Sequence, residues 1–505
     1  MAMPSVDAST SVAHSRLSTL LRNSWMILAV VAVALLERAL VDLVGDVSWL
    51  LTLCEKILAG QKPYIDFIET NPPVAIYMYL APVAFAKLIG VSPELAVGSF
   101  VFVGVGASIW ISAHILREAL IPQLGNLWHL AAFFAALLLV LPGAVFAQRE
   151  HVALIAFLPF LAVALARAHG RTVDWRWIVV AGLCAGFVAV IKPYLATAVA
   201  VTAFAAAITA KSWRPIFALE NWIAAIMLGV YAAGVVKFFP VFIEDLLPVT
   251  MAVYVPMQAP IFEFITLGSS PLWFGAILVA LLILQRDAMS PRFLILFAAS
   301  AGFAVSFFLQ RKGWAYHAYP MLTLALAALI GAFLTKWPLA AWTNRNDLVL
   351  RTVSGAFIVV LLIMNFSWLS TARDTSKLVE PIKRAIQNPK IIAFSDGTDT
   401  GFPLTRKVGG DWVSRTCCLW IAAGGMVMKV KDRNPAKVPF YDSFIERERL
   451  SLLEDVKRHK PDILIFERVR FDWLKWAKED PHMVRELENY TQLVDINDIL
   501  VLRRK

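Results

Sequence analysis

Residues 46–73 read DVSWLLTLCEKILAGQKPYIDFIETNPP, a polar stretch that lies between segments apolar enough to be membrane helices. The stretch ends in a Pro72-Pro73 stop. Its four acids are Asp46, Glu55, Asp66 and Glu69. Carboxylates beside a bilayer are costly unless they are paired or take part in function. This stretch is therefore the first candidate for a functional site, and the topology of the chain follows from which side of the membrane it occupies.

The composition is that of a membrane protein. The chain has 505 residues, of which 59% are hydrophobic and 17% charged, with a mean hydropathy of +0.66. Soluble domains carry about 25% charged residues. The formal charge of +10 would favour nucleic acid in a soluble protein, but Lys and Arg fall mostly in short loops between apolar runs. They are interpreted as topology signals, and no nucleic-acid partner is expected.

Charged residues are concentrated at the end of the chain, where residues 371–505 carry 45 of the 84 Lys, Arg, Asp and Glu side chains. This change predicts a domain boundary. We expect a cytoplasmic N-terminal segment over residues 1–24, a transmembrane domain over 25–370 with a first outer loop over 45–94, and a soluble domain over 371–505. The strand-like runs KIIAFS, PDILIFER, TQLVDI and ILVLRR alternate there with helical patterns, and a Gly-rich stretch carries DWVSRTCCLWIAAGG. This pattern predicts an α/β module.

Residues 74–90 decide the orientation of every later helix. They are apolar but interrupted by Pro82 and Lys87, and short for a perpendicular span. If they lie along the outer interface, basic residues collect in the inner loops, whereas a crossing segment would invert this asymmetry. The interfacial interpretation predicts a polytopic α-helical protein with about eleven spans. These fall near residues 25–44, 95–116, 128–146, 152–166, 177–191, 194–210, 219–238, 272–285, 293–309, 321–335 and 352–370.

This topology brings the unusual polar motifs of the apolar body to the outer side. They are Gln148-Arg149-Glu150-His151, Lys192-Pro193, the long loop over residues 237–271, and the run QRKGWAYH over residues 310–317. Polar groups from separate loops then converge on one face, as a catalytic centre requires. Gly182-x-x-x-Gly186 is instead interpreted as close helix packing.

Asp46 is the main catalytic candidate. Alone it would be interpreted as a helix-end residue, but together with the other loop acids a functional role is favoured. A carboxylate in a partly dry cavity can accept a proton from an acceptor hydroxyl. Glu69 could orient the acceptor, or be a solvated loop acid. Further candidates for substrate contact in this loop are Tyr64, Asp66 and Asn71.

Basic groups on the other outer loops could bind a phosphate. Lys192 stands in an otherwise apolar hairpin, where it either snorkels to the interface or stabilises an anionic leaving group. The same two interpretations apply to Arg311 and Lys312, with Tyr316 and His317 supplying an aromatic wall. Arg149, Glu150 and His151 are candidates for substrate contact, with a self-paired surface cluster as the alternative.

A divalent metal is an open alternative at the outer face. Its ligands would be Asp46, Glu150 and His151, although adjacent residues such as the last two point apart and seldom bind one ion together. No other cofactor is indicated. The chain lacks GxxxxGK[ST], GxGxxG after a strand, and GxSxG. Neither ATP-driven transport nor serine hydrolysis is therefore indicated.

Taken together, these motifs resemble the GT-C membrane glycosyltransferases. The resemblance rests on an acid just after the first helix, GQKPYIDFIETNPP, the outer Q-R-E-H, the K-P hairpin, Q-R-K-G-W-x-Y-H and the α/β tail. The bacterial members concerned are akin to protein O-mannosyltransferases and the lipid A aminoarabinose transferase. The resemblance implies location in a bacterial inner membrane, a periplasmic C-terminal domain, and inverting transfer from a polyprenyl-phosphate sugar to a glycan, lipid or protein acceptor. Asp46 would be the base.

The chain departs from these relatives at two positions. Val47 follows Asp46 where the mannosyltransferases carry a second acid. Thr70-Asn71 stands where the aminoarabinose transferase has a lysine before the prolines, which leaves Lys192, Arg311 and Lys312 to contact phosphate. The alternative function is a lipid or polysaccharide transporter, or an envelope assembly protein without catalysis. A transporter would place its key charges near mid-membrane, whereas these charges cluster at one edge.

Overall fold

Helices form most of the chain, because long apolar runs can satisfy their backbone hydrogen bonds internally only as helices when water is excluded. The structure, a computed structural model, describes residues 7–121, 126–337, 347–371 and 373–505, with side chains described from residue 24 onward. Residues 1–6 of the expected N-terminal segment lie outside the described residues, and the first helix begins at Asp7 within that segment.

The helices of the apolar body follow one another along the chain with short connections. The first five are α1 (Asp7–Leu40), α2 (Gly45–Leu58), α3 (Val74–Tyr77), α4 (Leu80–Ile89) and α5 (Pro93–Glu118). The next five are α6 (Leu127–Leu139), α7 (Arg149–Ala168), α8 (Trp175–Ile191), α9 (Ala196–Thr209) and α10 (Leu219–Phe238). The last six are α11 (Leu247–Val249), α12 (Ile261–Thr266), α13 (Ser269–Leu284), α14 (Pro291–Gln310), α15 (Ala315–Lys336) and α16 (Leu348–Leu369). Two π-helical turns, Phe242–Leu246 and Thr250–Tyr254, flank α11.

Each of the predicted spans coincides with one of these helices, namely α1, α5 to α10 and α13 to α16. Within the described residues, 7 helices are long and apolar enough to cross a membrane by length and composition. Helices α6, α8 and α9 are apolar but shorter. The predicted fold class, a polytopic helical protein followed by a small α/β domain, is confirmed.

The segment between α1 and α5 contains only short helices after residue 73. Helix α3 has 4 residues and α4 has 10. At 1.5 Å per residue, α4 covers about 15 Å, half of a hydrocarbon core. Arg406 of the C-terminal domain binds both Glu55 on α2 and Glu94 on α5. Both ends of the segment therefore lie at the same end of the helix bundle.

The glycine pair on α8 lets two helices approach closely. A Cβ at Gly182 would lie 2.9 Å from Ile223 Cβ, and one at Gly186 would lie 2.6 Å from Met227 Sδ. Both partners are on α10, and contacts this short would force the helices apart. This geometry confirms the packing interpretation of the Gly182-x-x-x-Gly186 motif.

The C-terminal domain is a mixed five-stranded sheet with helices. Its elements are α17 (Ser376–Ala385), β1 (Lys390–Phe394), α18 (Leu404–Lys407), β2 (Asp411–Trp412), α19 (Trp420–Lys431), α20 (Val438–His459), β3 (Ile463–Glu467), α21 (Trp473–Lys478), α22 (Pro481–Leu487), β4 (Tyr490–Ile496) and β5 (Ile499–Arg504). The strand order is β2-β1-β3-β5-β4, with β1 parallel to β2 and β3, and β5 antiparallel to β3 and β4. The sequence patterns predicted every strand except the two-residue β2.

Helix α19 falls where the sequence indicated only a Gly-rich stretch. A Cβ at Gly424 would lie 2.8 Å from the carbonyl oxygen of Val253, so glycine is needed where α19 crosses the 250–254 turn. The packing of α19 against this turn therefore outweighs the low helix propensity of glycine. This contact is one of the places where the C-terminal domain is fixed to the helix bundle.

The C-terminal domain also packs on the first loop. Trp49 of α2 lies against Phe402 and Trp412, with ring centroids 5.6 and 6.5 Å apart. The backbone N–H of Ile68 donates to the carbonyl oxygen of Arg415 at 2.7 Å. Aromatic burial and backbone bonding together fix the orientation of the loop against the domain.

Glu448 on α20 gives this domain a pH-dependent stability. It is 4% exposed and accepts a hydrogen bond from the backbone N–H of Ala422, at the start of α19. Burial raises the pKa of the Glu448 carboxyl from 4.5 to about 8. The folded protein therefore holds this proton more tightly than the unfolded chain. The stability it contributes is fully present below about pH 4.5 and is lost as pH rises through about 8.

We expect Glu448→Gln to remove this loss, because glutamine stays neutral at every pH. The apparent Tm of the variant, measured relative to the wild type by thermal unfolding in detergent, should rise between about pH 6 and about pH 9. Glu446→Gln on the same helix is the control, since Glu446 is 53% exposed and its difference from the wild type should stay flat. If the Tm difference between Glu448→Gln and the wild type also stays constant with pH, Glu448 is not the source of the pH-dependent stability.

Candidate active site

Asp46 lies in the first turn of α2, where the positive end of the helix dipole favours a carboxylate. Its Oδ2 accepts a hydrogen bond from Arg149 Nη2 at 3.2 Å, and its Oδ1 accepts one from Thr398 Oγ1 at 3.1 Å. The Asp46 side chain remains 24% exposed. The carboxylate is thus held from both sides, by the helix bundle and by the C-terminal domain, and still has lone pairs open to a further donor.

The three residues that begin α7 point in three directions. Arg149 faces Asp46, and Glu150 faces Lys192. The ring of His151 is held by backbone, because Nδ1 accepts from the N–H of Ala147 at 2.9 Å and Nε2 contacts the carbonyl oxygen of Leu138 at 2.7 Å. All three side chains of the Arg149-Glu150-His151 motif are buried, so the alternative of a surface cluster is wrong.

Glu150, Lys192 and His317 form a buried polar cluster. Lys192 Nζ donates to Glu150 Oε1 at 2.6 Å, and His317 Nε2 lies 3.4 Å from that oxygen. The side chain of Lys192 is 5% exposed, that of Glu150 1% and that of His317 2%. Lys192 Nζ also lies 5.5 Å from the ring centre of Tyr316. The hairpin between α8 and α9 thus brings its lysine into the same site as α7 and α15.

Several polar atoms around this cluster have no partner, although buried polar groups are normally hydrogen-bonded. Among the described residues, the atoms concerned include Nε and Nη1 of Arg149, Nδ1 of His317, Oε2 of Glu150 and both side-chain polar atoms of Gln148. Arg149 in particular uses one of its donors on Asp46 and directs others into the buried region. Unused guanidinium donors beside a lysine are suited to an anionic oxygen, and above all to a phosphate.

The geometry does not bring together the candidate ligands of the metal alternative. In the ranges that the structure describes, no group of three or more His, Cys, Asp or Glu side chains could hold a metal ion. His151 uses both ring nitrogens on the backbone, and Glu150 is paired with Lys192. Asp46, Glu150 and His151 as they are placed here therefore do not fit a shared metal site.

The other candidates in the first loop hold its shape. Glu69 is 6% exposed, and it accepts from the indole N–H of Trp49 at 2.8 Å and from the backbone N–H of Asn71 at 3.0 Å. Tyr64 donates its hydroxyl to the carbonyl oxygen of Asn71 at 2.7 Å, and Asp66 accepts from the backbone N–H of Lys62 at 2.7 Å. These bonds assign Glu69, Tyr64, Asp66 and Asn71 a structural part in the loop.

Arg311 and Lys312 lie beside the cluster and bind the 254–258 loop. Arg311 donates to the side-chain oxygen of Gln258, and Lys312 Nζ donates to the carbonyl oxygen of Met257 at 3.0 Å. Lys312 Nζ also lies 4.3 Å from the ring centre of Tyr254. Arg149 and Lys192 are accordingly the basic groups that contact Asp46 and Glu150. Arg311 and Lys312 contact the 254–258 loop instead.

Sequence reasoning missed the part of the site that comes from the C-terminal domain. Thr398 binds Asp46, and Trp420 packs edge-on against Tyr254 with ring centroids 5.9 Å apart. The run Ser395-Asp396-Gly397-Thr398-Asp399 follows β1 directly. Polar turns at the carboxyl ends of parallel strands often carry function, so this run was a usable signal.

The burial of the Lys192–Glu150 pair leads to a prediction about stability. Lys192→Met removes the closest partner of a buried carboxylate, and breaking such a pair costs about 3–5 kcal/mol. We expect a large fall in the apparent Tm in detergent, with most of it restored by adding Glu150→Gln, which removes the stranded charge.

Lys237→Met is the matched control, because Lys237 is exposed at the end of α10. Its effect should stay within about 0.5 kcal/mol. Equal effects of Lys192→Met and Lys237→Met would show that the pair contributes nothing to stability.

Comparisons with known proteins place the fold. Neither the protein-family models nor the curated proteins give a match. The solved structures that match include two of ArnT from Cupriavidus metallidurans. The one bound to undecaprenyl phosphate has a TM-score of 0.53 at 14% identity, covering 95% of this chain and 97% of that one. The apo structure has a TM-score of 0.52 at 13% identity, covering 97% and 98%. ArnT is a GT-C enzyme, the lipid A aminoarabinose transferase, so the resemblance read from the motifs is confirmed over nearly the whole chain at the level of the fold.

Proposed function

We propose that this protein is a glycosyltransferase that moves a sugar from a polyprenyl-phosphate donor to an envelope acceptor. The observation that carries the proposal is the position of Asp46, a partly exposed carboxylate held next to the buried side chain of Arg149, which has donors without partners among the described residues. Sugar transfer needs a base for the acceptor and a positive environment for the departing phosphate. A partly exposed carboxylate and guanidinium donors without partners among the described residues lie together at one end of the helix bundle, which supports the proposal.

Asp46 acts as the base in this proposal. Its carboxylate accepts the proton of an acceptor hydroxyl while that oxygen attacks the anomeric carbon of the donor sugar. One bond forms between the acceptor oxygen and the anomeric carbon, and the bond from that carbon to the phosphate oxygen breaks. The displacement is in line, so the anomeric configuration is inverted. Arg149 and Thr398 fix the carboxylate without occupying all its lone pairs.

The leaving group is a polyprenyl phosphate, which departs with the electron pair of the broken bond. Arg149 Nε and Nη1, which lack partners among the described residues, would donate to its oxygens. Lys192 adds a second positive charge and His317 an additional ring nitrogen. In a site from which water is excluded, preorganised donors of this kind stabilise developing negative charge strongly.

The comparison structure supports the choice of donor. The ArnT of the same fold was solved with bound undecaprenyl phosphate, the kind of lipid this reaction would release. The sugar and the acceptor, whether glycan, lipid or protein, depend on the shape of the cavity.

We further propose that the site faces the periplasm from a bacterial inner membrane. In this orientation the N-terminus is cytoplasmic, and residues 371–505 form a periplasmic domain that covers the outer end of residues 25–370. The positive-inside rule supports this orientation, because basic residues collect at the loops of the opposite end. Helix α5 illustrates the pattern, since it begins near Glu94 at the Asp46 end and reaches Arg117 at the other.

Lipid transport without catalysis is the second candidate, and one observation favours it. A cavity of about 520 Å³ lies at the end of the bundle away from Asp46, among α5, α6, α7, α14 and α15. Its lining is mostly apolar, as with Phe133 and Leu161, with Arg292 among the polar residues. Such a space suits hydrocarbon, and none of its described lining residues is a carboxylate that could act as the base.

The proposed reaction predicts that Asp46→Asn abolishes turnover. Asparagine keeps the size of the side chain but cannot accept the proton, so kcat should fall by about 10²- to 10⁴-fold. The measurement is release of polyprenyl phosphate from radiolabelled polyprenyl-phosphate sugars by the purified protein, with donor affinity followed separately. Asp245→Asn, an exposed acid after α10, should retain the wild-type rate.

An Asp46→Asn variant with wild-type turnover would remove the base assignment. If the wild type releases no lipid phosphate from any donor and acceptor tried, while vesicles containing it translocate the lipid, the transport function is the correct one.

A further inference from the structure

The C-terminal domain does more than cover the site. Its residue Thr398 reaches the carboxylate that the first loop presents, 352 positions away along the chain. We propose that Thr398 is a positioning residue for Asp46, so that the catalytic centre is complete only when the C-terminal domain is docked on the helix bundle. This inference rests on the proposed function, because it assigns Thr398 a part in that reaction.

The Asp46 carboxylate is bound by two parts of the protein, the helix bundle and the C-terminal domain. Arg149 of α7 holds Oδ2 at 3.2 Å, and Thr398 holds Oδ1 at 3.1 Å. With a donor on each oxygen, rotation about the last side-chain bond would break both hydrogen bonds. A base must keep its lone pairs aimed at the acceptor hydroxyl, and small errors in such geometry reduce rates strongly. Thr398 therefore fixes the direction of the remaining lone pairs.

Thr398 is itself fixed in place. It begins a single 3-10 turn, Thr398–Thr400, that follows β1. The hydroxyl of Thr400 donates to Glu467 Oε2 at 2.8 Å, at the end of the neighbouring strand β3. Asp399 Oδ1 accepts from the backbone N–H of Gly45 at 3.1 Å. The turn is thus tied both to the sheet behind it and to the start of α2 in front of it.

Gly45 shows how close this approach is. A Cβ at Gly45 would lie 2.4 Å from Asp399 Oδ1 and 3.0 Å from Asp399 Cα. The Asp399 side chain would have to move and the backbone of the turn would be crowded, so a larger residue at position 45 should weaken the approach of the turn to α2 and to Asp46. The absence of a side chain at this position lets the Thr398 hydroxyl come within hydrogen-bond distance of the carboxylate.

Cys417 offers Thr398 a second acceptor. Its Sγ lies 3.8 Å from Thr398 Oγ1, longer than the contact to Asp46. The hydroxyl has one hydrogen to donate, and an ionised carboxylate is a much stronger acceptor than a thiol. The bond to Asp46 is therefore the one that governs where the hydroxyl points.

The test compares three substitutions in the full-length protein. Thr398→Val keeps the shape and loses the donor, Thr398→Ser keeps the donor, and Thr491→Val changes an exposed threonine on β4. In the phosphate-release assay we expect Thr398→Val to lower kcat by about ten- to a hundredfold with the donor KM within about twofold. Thr398→Ser should recover most of the rate, and Thr491→Val should match the wild type.

Two results in this assay would overturn the proposal. One is a wild-type kcat for Thr398→Val. The other is an equal loss for Thr398→Val and Thr398→Ser, which would indicate packing in place of hydrogen bonding. Cys417→Ala separates the two acceptors, because a loss equal to that of Thr398→Val would assign the hydroxyl to the thiol and contradict the bond to Asp46.

A second readout does not depend on turnover. In thermal unfolding, Thr398→Val should lower the apparent Tm of the wild type but have little effect in an Asp46→Ala background, where its partner is already gone. Additive effects would contradict the contact. If the wild type shows no turnover with any donor, the proposed function fails, and the thermal cycle still decides whether Thr398 holds Asp46.

Discussion

Burial of charge at one end of an apolar helix bundle is the constraint on which this structure depends. Arg149, Glu150 and Lys192 are nearly inaccessible to water, and an isolated charge in such surroundings is strongly unfavourable. Each is therefore bound to an opposite charge from another element, Arg149 to Asp46 and Lys192 to Glu150. These pairs fix the relative positions of α2, α7 and the hairpin between α8 and α9. Among the described residues, the same pairs leave guanidinium donors of Arg149 without partners, and such donors suit the phosphate of the proposed reaction.

The acids of the first loop differ in their bonding partners. Glu69 is bound to the backbone and side chains of its own loop and to Trp49, so it is part of the loop framework. Glu55 is bound to Arg406 and fastens the C-terminal domain. Asp46 has fewer bonds, and both come from outside the loop. A rigid framework with one incompletely bonded carboxylate is the arrangement in which a base keeps its geometry and remains reactive.

The sequence predicted the helices, the strands and the end of the bundle that carries the site, because hydropathy and charge asymmetry are local properties. It also singled out five polar residues in apolar surroundings that the structure brings close together, namely Asp46, Arg149, Glu150, Lys192 and His317. It ranked Asp46 above Glu69, but it did not show which donors surround each carboxylate. Thr398 escaped notice because the polar turn after β1 indicates only a region of interest, whereas the contact of Thr398 with Asp46 depends on how the C-terminal domain docks. Helix α19 was missed because Gly424 looks like a loop residue unless its contact with Val253 is known.

The contact between Gly45 and Asp399 has a consequence for the biosynthesis of the protein. Gly45 is synthesised early, whereas Asp399 belongs to the last part of the chain. In the proposed orientation, every helix must be inserted, and the final domain carried across the membrane and folded, before the two can meet. A nascent chain that stalls partway would hold a basic cluster able to attract lipid phosphate but an Asp46 without its second support. If the proposed reaction is correct, completion of biosynthesis would then guard against premature cleavage of the lipid-linked sugar by water.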